Sequence, residues 1–168
     1  MSRVRRWLVM IALVIMTIAC DQTTKRFASE SFTQAVPYPL VEGTVELLYS
    51  ENRGAFLGIG AELEPVTRFW LFTVGVTILL LVFAVKLFRA RSALELAGWS
   101  FVIGGGLGNL IDRVQHGMVI DFLRIGFGDL HTGIFNIADA AIVAGLVLLF
   151  LSTFAHRPVV ARRRPDLA

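Results

Sequence analysis

The chain is poor in cysteine, histidine and charge. A single cysteine among 168 residues, Cys20, excludes a disulfide framework and any cysteine-based zinc site. The three histidines, His116, His131 and His156, fall in separate segments without ligand spacing, so no metal cage is expected. Only 17% of residues are charged, where a soluble domain carries about a quarter. There is no internal repeat and no low-complexity tract. What is abundant is apolar: 55% of residues are hydrophobic, the mean hydropathy is +0.69, and these residues come in blocks. That pattern excludes a disordered, fibrous or ordinary soluble chain and leaves a membrane protein.

Four apolar stretches stand out: Trp7 to Cys20, Phe69 to Val85, Leu96 to Ile111 and Ile134 to Ala155. A spanning helix needs about 20 mainly apolar residues. The second and fourth qualify directly. The first and third reach that length only if their polar ends continue the helix, the first into Asp21 to Lys25 and the third to run from Ala93 to Arg113. The expected spans are about 7–24, 68–88, 93–113 and 134–155.

Basic residues set the orientation. One set of flanks (Arg3, Arg5, Arg6, Lys86, Arg89, Arg91, Arg157, Arg162, Arg163, Arg164) carries ten basic residues against two acids, Glu95 and Asp166. The other carries six basic residues against eleven acids. Both termini are therefore expected in the cytoplasm, ending in a basic, unstructured tail over 156–168. The pI near 9.6 is a topology signal suited to anionic lipid, so no nucleic-acid partner is expected.

The outer segment at about 25–67 is too long for a mere connector. Pro37, Pro39 and Gly43 punctuate it, and Thr44 to Tyr49 has strand-forming composition. A second outer segment, 114–133, has a strand expected at Met118 to Leu123 and a turn region from Gly126 through Gly128 to Gly133. The fold class expected is an all-α membrane protein of four transmembrane helices, both termini cytoplasmic, with a small external β-sheet and loop subdomain. The whole of 1–168 forms one domain.

The N-terminus admits another reading. Basic residues, an apolar run and then Thr17 to Cys20 imitate a lipoprotein signal with its lipidation box. Thr17 stands where such boxes want an aliphatic residue, however, and three further apolar spans follow, which favours an uncleaved first span with Cys20 as a small buried hydrophobe.

Acids within spans cost at least about 2.5–3.5 kcal/mol at mid-membrane, so each needs a reason. Asp139 would lie about 7 Å along the fourth helix, with Asn136 on the same face. The third span ends in Asn109, Asp112 and Arg113, and the first in Asp21 and Lys25, an i, i+4 pair. Three helices thus carry polar clusters to one boundary. Asp21 with Lys25, and Asp112 with Arg113, are equally readable as boundary ion pairs. Asp139 has no cation near it on its own helix, and its natural companion is Asp121. In one continuous helix these two would be about 27 Å apart, but the intervening glycines permit a return. Two neighbouring carboxylates cannot both ionise cheaply: one keeps a proton and the other acts as base, the machinery of an aspartic hydrolase.

Other motifs weigh less. Gly104, Gly105, Gly106 and Gly108 contain a GxxxG spacing, which reads as helix packing or, alternatively, as a groove for lipid or peptide. The P-loop Lys and Ser/Thr are missing. Ser100 has no nearby His for a triad. A transporter or a membrane scaffold remains as a rival class. A transporter would place polar groups through the full membrane thickness, and no acidic or basic residue lies near the middle of any span.

Together the residues resemble the bacterial lipoprotein signal peptidase (signal peptidase II) family across nearly the whole chain. The resemblance rests on Asp21, Gln22, Thr24 and Lys25; on Asn52 to Phe56; on Gly104, Gly105 and Gly108 to Arg113; on Val119 to Phe122; and on Phe135 to Asp139. It implies an intramembrane aspartic endopeptidase of the bacterial inner membrane. Such an enzyme cleaves diacylglyceryl-modified prolipoproteins on the N-terminal side of the lipidated cysteine, works at the outer face, and is a globomycin target. The positions matching the catalytic pair are Asp121 and Asp139. The matching supporting positions are Asp21, Lys25, Asn52, Gly54, Asn109, Arg113, Asn136 and Ala138. Asn52 would contact the substrate, and Asn109 with Arg113 would brace the groove. The mechanism requires no cofactor, and a monomer among membrane lipids suffices. One departure is visible: family members often read Gly-Ala-Ala-Phe where this chain has Gly54, Ala55, Phe56 and Leu57.

Overall fold

The computed structural model describes residues 2–127 and 130–155. In chain order the elements are α1 (Arg3–Ser31), β1 (Tyr38–Val41), β2 (Val45–Asn52), α2 (Pro65–Arg89), α3 (Ala93–His116), β3 (Val119–Phe127), β4 (Leu130–His131) and α4 (Ile137–Ala155). Four long helices therefore carry one small antiparallel sheet of order β1-β2-β3-β4. By length and composition α2, α3 and α4 can each cross a membrane.

The fourth long helix, α1, has 29 residues, a length of roughly 43 Å, and dilutes its apolar stretch with charge at one end. Its buried positions are Thr17, Asp21, Lys25 and Ala28, a stripe at helical spacing. The charged pair therefore faces protein, and the helix continues beyond the expected Thr24 to Ser31. Cys20 corrects the sequence reading: it is exposed, because the next residue, Asp21, takes the inward direction.

α3 is the central helix, packing on α1, α2 and α4. Its glycines explain how. A Cβ on Gly104 would meet Thr17 of α1, one on Gly105 would run into the Ala138 carbonyl of α4, and one on Gly106 would meet Leu80 of α2. Further along, Gly98 and Gly145 let the α3 and α4 backbones touch. The glycine cluster thus serves close packing on three sides rather than an open groove. At the far end, Leu87, Ala90, Leu96 and Ile103 form an apolar core. α2 and α4 expose Trp70, Leu81, Leu146 and Phe150 outward, a surface suited to lipid.

β2 and β3 come from the two different outer segments, with Ser50 opposite Asp121 and Asn52 opposite Val119. β1 lies where the sequence shows only proline punctuation. Pro39 is tolerated there because β1 is an edge strand, and Gly43, at φ 71°, makes the turn into β2. The strand expected to end at Leu123 runs on to Phe127, so Gly126 belongs to β3 rather than to a turn. Gly128, the basic tail from His156 onward and the acids Asp129 and Asp166 lie outside the described residues. The chain then doubles back: the Phe135 backbone exchanges hydrogen bonds with Leu123 at 2.9 Å in each direction. Phe135 is thereby held by the sheet, and α4 starts at Ile137 rather than Ile134. This return delivers the head of α4 to the side of β3.

Candidate active site

Asp121 follows from the register of β3. Val119, Asp121 and Phe122 are buried, and Asp121 is only 2% exposed. Its Oδ2 accepts from Asn52 Nδ2 at 2.9 Å and its Oδ1 from Asn136 Nδ2 at 2.7 Å. Burial pushes the Asp121 carboxyl from its ordinary 3.8 up to about 6. The neighbouring charge of Asp139 pushes the same way, against the hydrogen bonds from Asn52 and Asn136 and the more distant charge of Lys25.

Asp139 stands in the first turn of α4 and is half-buried. Its Oδ1 accepts from Asn109 Nδ2 at 2.8 Å. Its backbone N–H donates to Asn136 Oδ1 at 2.9 Å. Among the described residues no hydrogen bond joins the two carboxyl groups directly. Asn136, fully buried, links the two residues: its Nδ2 donates to the Asp121 carboxyl, its Oδ1 accepts the Asp139 backbone N–H, and its own backbone N–H donates to Asp139 Oδ2 at 3.4 Å. The two acids are neighbours in charge, Asp139 favouring the protonated form of Asp121.

Behind them lies a buried ionic cluster. Lys25, 2% exposed, donates to Asp21 Oδ2 at 2.7 Å, Asp112 Oδ2 at 2.9 Å and Asn109 Oδ1 at 2.9 Å. Asp21 Oδ1 accepts the backbone N–H of Ala138 at 2.8 Å, tying α1 to the first turn of α4. Asp112 also accepts from Gln22 Nε2 at 2.9 Å and from the Ile120 backbone at 3.2 Å. Reading Asp112 with Arg113 as a boundary pair fails, because adjacent helical residues diverge. Asp112 turns inward to Lys25, while Arg113 Nη2 donates to Gly54 O at 2.8 Å.

Asn52 does more inside the protein than the sequence suggested. Its Nδ2 also reaches Ala55 O at 3.0 Å, and its Oδ1 accepts the Gly54 N–H at 2.9 Å. It therefore aims Asp121 and pins the loop that follows β2. Gly54 is required there, since a Cβ would lie 2.5 Å from Ile59 O. All ten residues singled out from the sequence thus fall in one connected cluster. Gln22 and Asp112 belong to it as well. The signal was present in the spacing of Asp112 from Gly108 and Asn109 and in the adjacency of Gln22 to Asp21.

Asp139 opens onto a cleft of about 340 Å³ whose walls include Phe56, Phe72, Val76, Ile142 and Leu146. An apolar segment fits such a cleft with its backbone beside Asp139. Among the described residues, no three His, Cys, Asp or Glu side chains are grouped to hold a metal ion.

The chain is similar to known proteins in sequence and in fold. Residues 13–155 match the profile of the family described as Signal peptidase (SPase) II. A lipoprotein signal peptidase of Oleidesulfovibrio alaskensis is 32% identical over 153 residues, which is 90% of this chain and 98% of that one. One of Xylella fastidiosa is 36% identical over 159 residues, 90% of this chain and 93% of its own. One of Photorhabdus laumondii is 35% identical over 150 residues, 88% and 86% respectively. In fold, the chain matches a structure described as a bacterial membrane enzyme, solved by the in meso method at 2.3 Å resolution. That match has a TM-score of 0.76 and 24% identity, covering 95% of this chain and 94% of the other.

Proposed function

The chain belongs to the signal peptidase II family, and we propose that Asp121 and Asp139 are its catalytic pair. It is a lipoprotein signal peptidase, an aspartic-type, multi-pass bacterial membrane enzyme that removes signal peptides from prolipoproteins. The finer reading is that it cuts N-terminal to a diacylglyceryl-modified cysteine. In that reading α1 to α4 all cross the inner membrane, both termini are cytoplasmic, and the sheet and acids lie at the outer face. A single copy surrounded by membrane lipid supplies every group required.

The observation that carries this reading is that Asn136 ties Asp121 to Asp139 at the head of α4, with Asp139 lining an apolar cleft. One carboxylate takes a proton from water as its oxygen attacks the scissile carbonyl. The other, protonated, delivers its proton to the departing nitrogen. The raised Asp121 value suits a group that must hold or release a proton near neutrality. Asn52 and Asn109 orient one acid each, and Asn136 fixes their separation. Asp21, Lys25, Asp112 and Gln22 hold the helix ends that carry these groups. Arg113, through Gly54, and Ala138, through Asp21, set the loop and the α4 turn.

The test is proteolysis of a purified diacylglyceryl-prolipoprotein by the full chain in detergent, with the products sized by mass spectrometry. The expected products are a free signal peptide and a chain beginning at lipidated cysteine, with globomycin blocking both. Equal cleavage of the unlipidated precursor, or a cut elsewhere, would sink the finer reading.

A further inference from the structure

On the other side of Phe72 and Arg113 from the cleft lies a second cavity, of about 380 Å³, that the cleavage chemistry does not use. Three guanidiniums line it, those of Arg53, Arg68 and Arg113, with the imidazole of His116 and one carboxylate, Glu51. Glu51 offsets them weakly. Arg53 Nη2 stands 3.7 Å from its Oε2, and its Oε1 is engaged by the Tyr49 hydroxyl at 3.2 Å. Arg68 makes one long bond, from Nη1 to Ala61 O at 3.3 Å, and Arg113 bonds only backbone carbonyls. Among the described residues neither Arg68 nor Arg113 has a carboxylate within ion-pair distance.

The cavity sits where α2 begins and α3 ends, hence at the membrane–water boundary. Phe69 lines it and the neighbouring Trp70 is 60% exposed, the aromatic pattern of an interfacial belt. Convergent guanidinium forks match the oxygens of a phosphate, and a cavity of this size holds a small polar group. At that depth the abundant bearer of a phosphate is a phospholipid. We propose that Arg53, Arg68 and His116, with Arg113 at the shared wall, bind the phosphate of an anionic phospholipid headgroup, its acyl chains running down α2 past Phe69. An occupied site holds Arg113 from the side opposite the cleft and so steadies its grip on Gly54. The proposal does not depend on which groups perform the cleavage.

The test uses the full chain in phosphatidylcholine nanodiscs, titrated with phosphatidylglycerol and read by native mass spectrometry. A parallel arm adds inorganic phosphate as competitor. The expected result is one saturable phosphatidylglycerol, retained at least about tenfold more weakly by an Arg53→Gln/Arg68→Gln double variant. That variant should still cleave lipidated precursor normally in phosphatidylcholine alone. If it unfolds on heating well below the parent, Arg68→Gln alone supplies the same comparison. Equal retention by parent and variant, or equal retention of phosphatidylcholine, overturns the site. Full displacement by millimolar inorganic phosphate overturns the lipid as its occupant.

Discussion

Asn136 and Asp139 cap one another across the first turn of α4. Asn136 Oδ1 accepts the Asp139 N–H at 2.9 Å, and Asp139 Oδ2 accepts the Asn136 N–H at 3.4 Å. This is the reciprocal geometry of a capping box, here formed by Asn and Asp. The same Asn136 amide donates to Asp121 Oδ1, so the start of the helix and the spacing of the acids are one feature. Asn136→Ala is expected to cost about 1 kcal/mol as a lost cap and to reduce turnover far more than that loss of stability would. Thermal unfolding and cleavage rate, measured on the same preparation, separate the two. Equal, small effects on both would reduce Asn136 to a cap.

Asp121→Asn and Asp139→Asn each keep the shape of the side chain while removing its proton chemistry. Each is expected to lower the cleavage rate by about 10²–10⁴-fold or more, with the protein still inserted and folded. Near-parent turnover in either variant would remove the pair mechanism.

The rise of Asp121 to about 6 means that its protonated form is favoured in the folded state. Between its ordinary 3.8 and about 6, the folded protein holds a proton that the unfolded chain has released. The associated stability is fully present below that range and is lost as pH rises through about 6. In activity, the singly protonated pair is the working form, so the rate profile should be bell-shaped with one limb near 6. Asn52→Ala removes a bond that favours the charged carboxylate and should move that limb to higher pH. A limb that stays put, or moves to lower pH, contradicts the assignment.

Lys25→Met would leave Asp21 and Asp112 buried without a counter-charge. The expected cost is about 3–5 kcal/mol, seen as a lower unfolding temperature in detergent. Adding Asp112→Asn should recover part of it. An unchanged unfolding temperature in the single variant would show that the cluster does not brace the helices.

Gly108→Ala would place a methyl 2.5 Å from Asp21 Oδ2, against a side chain already fixed by Lys25 and Ala138. Loss of folded protein is expected, measured by monodispersity in detergent. Gly117→Ala makes a useful contrast. Its φ is 71° but nothing crowds it, so only a left-handed strain of about 1 kcal/mol is expected.

Asp139 was legible because an acid near the head of an apolar run is costly and needs a reason, and Asp121 was legible as its companion on the preceding outer strand. Lys25 was legible only as an ion pair along α1. Nothing in the chain says that Asp112, from another helix, completes its surroundings, since helix-to-helix rotation is set by packing. β1 went unseen because its strand order is imposed by β2 and not by its own proline-bearing residues. The exposure of Cys20 was misread for a similar reason: an apolar run surrounded by lipid has no hydrophobic contrast to mark its inner face.

The sequence by itself determined that the chain lives in a membrane, where its apolar helices run, and that its acids gather at one boundary, because hydrocarbon penalises every charge and unpaired backbone group it meets. It also carried the family in the order of its motifs. The tertiary structure alone decided how the acids meet. The Phe135 backbone had to pair with Leu123, and the α3 glycines had to admit α1, α2 and α4 at close range, before Asn136 could hold Asp121 on one side and Asp139 on the other. Most of those contacts join separate elements of the chain, and their geometry is fixed by packing rather than by a local pattern.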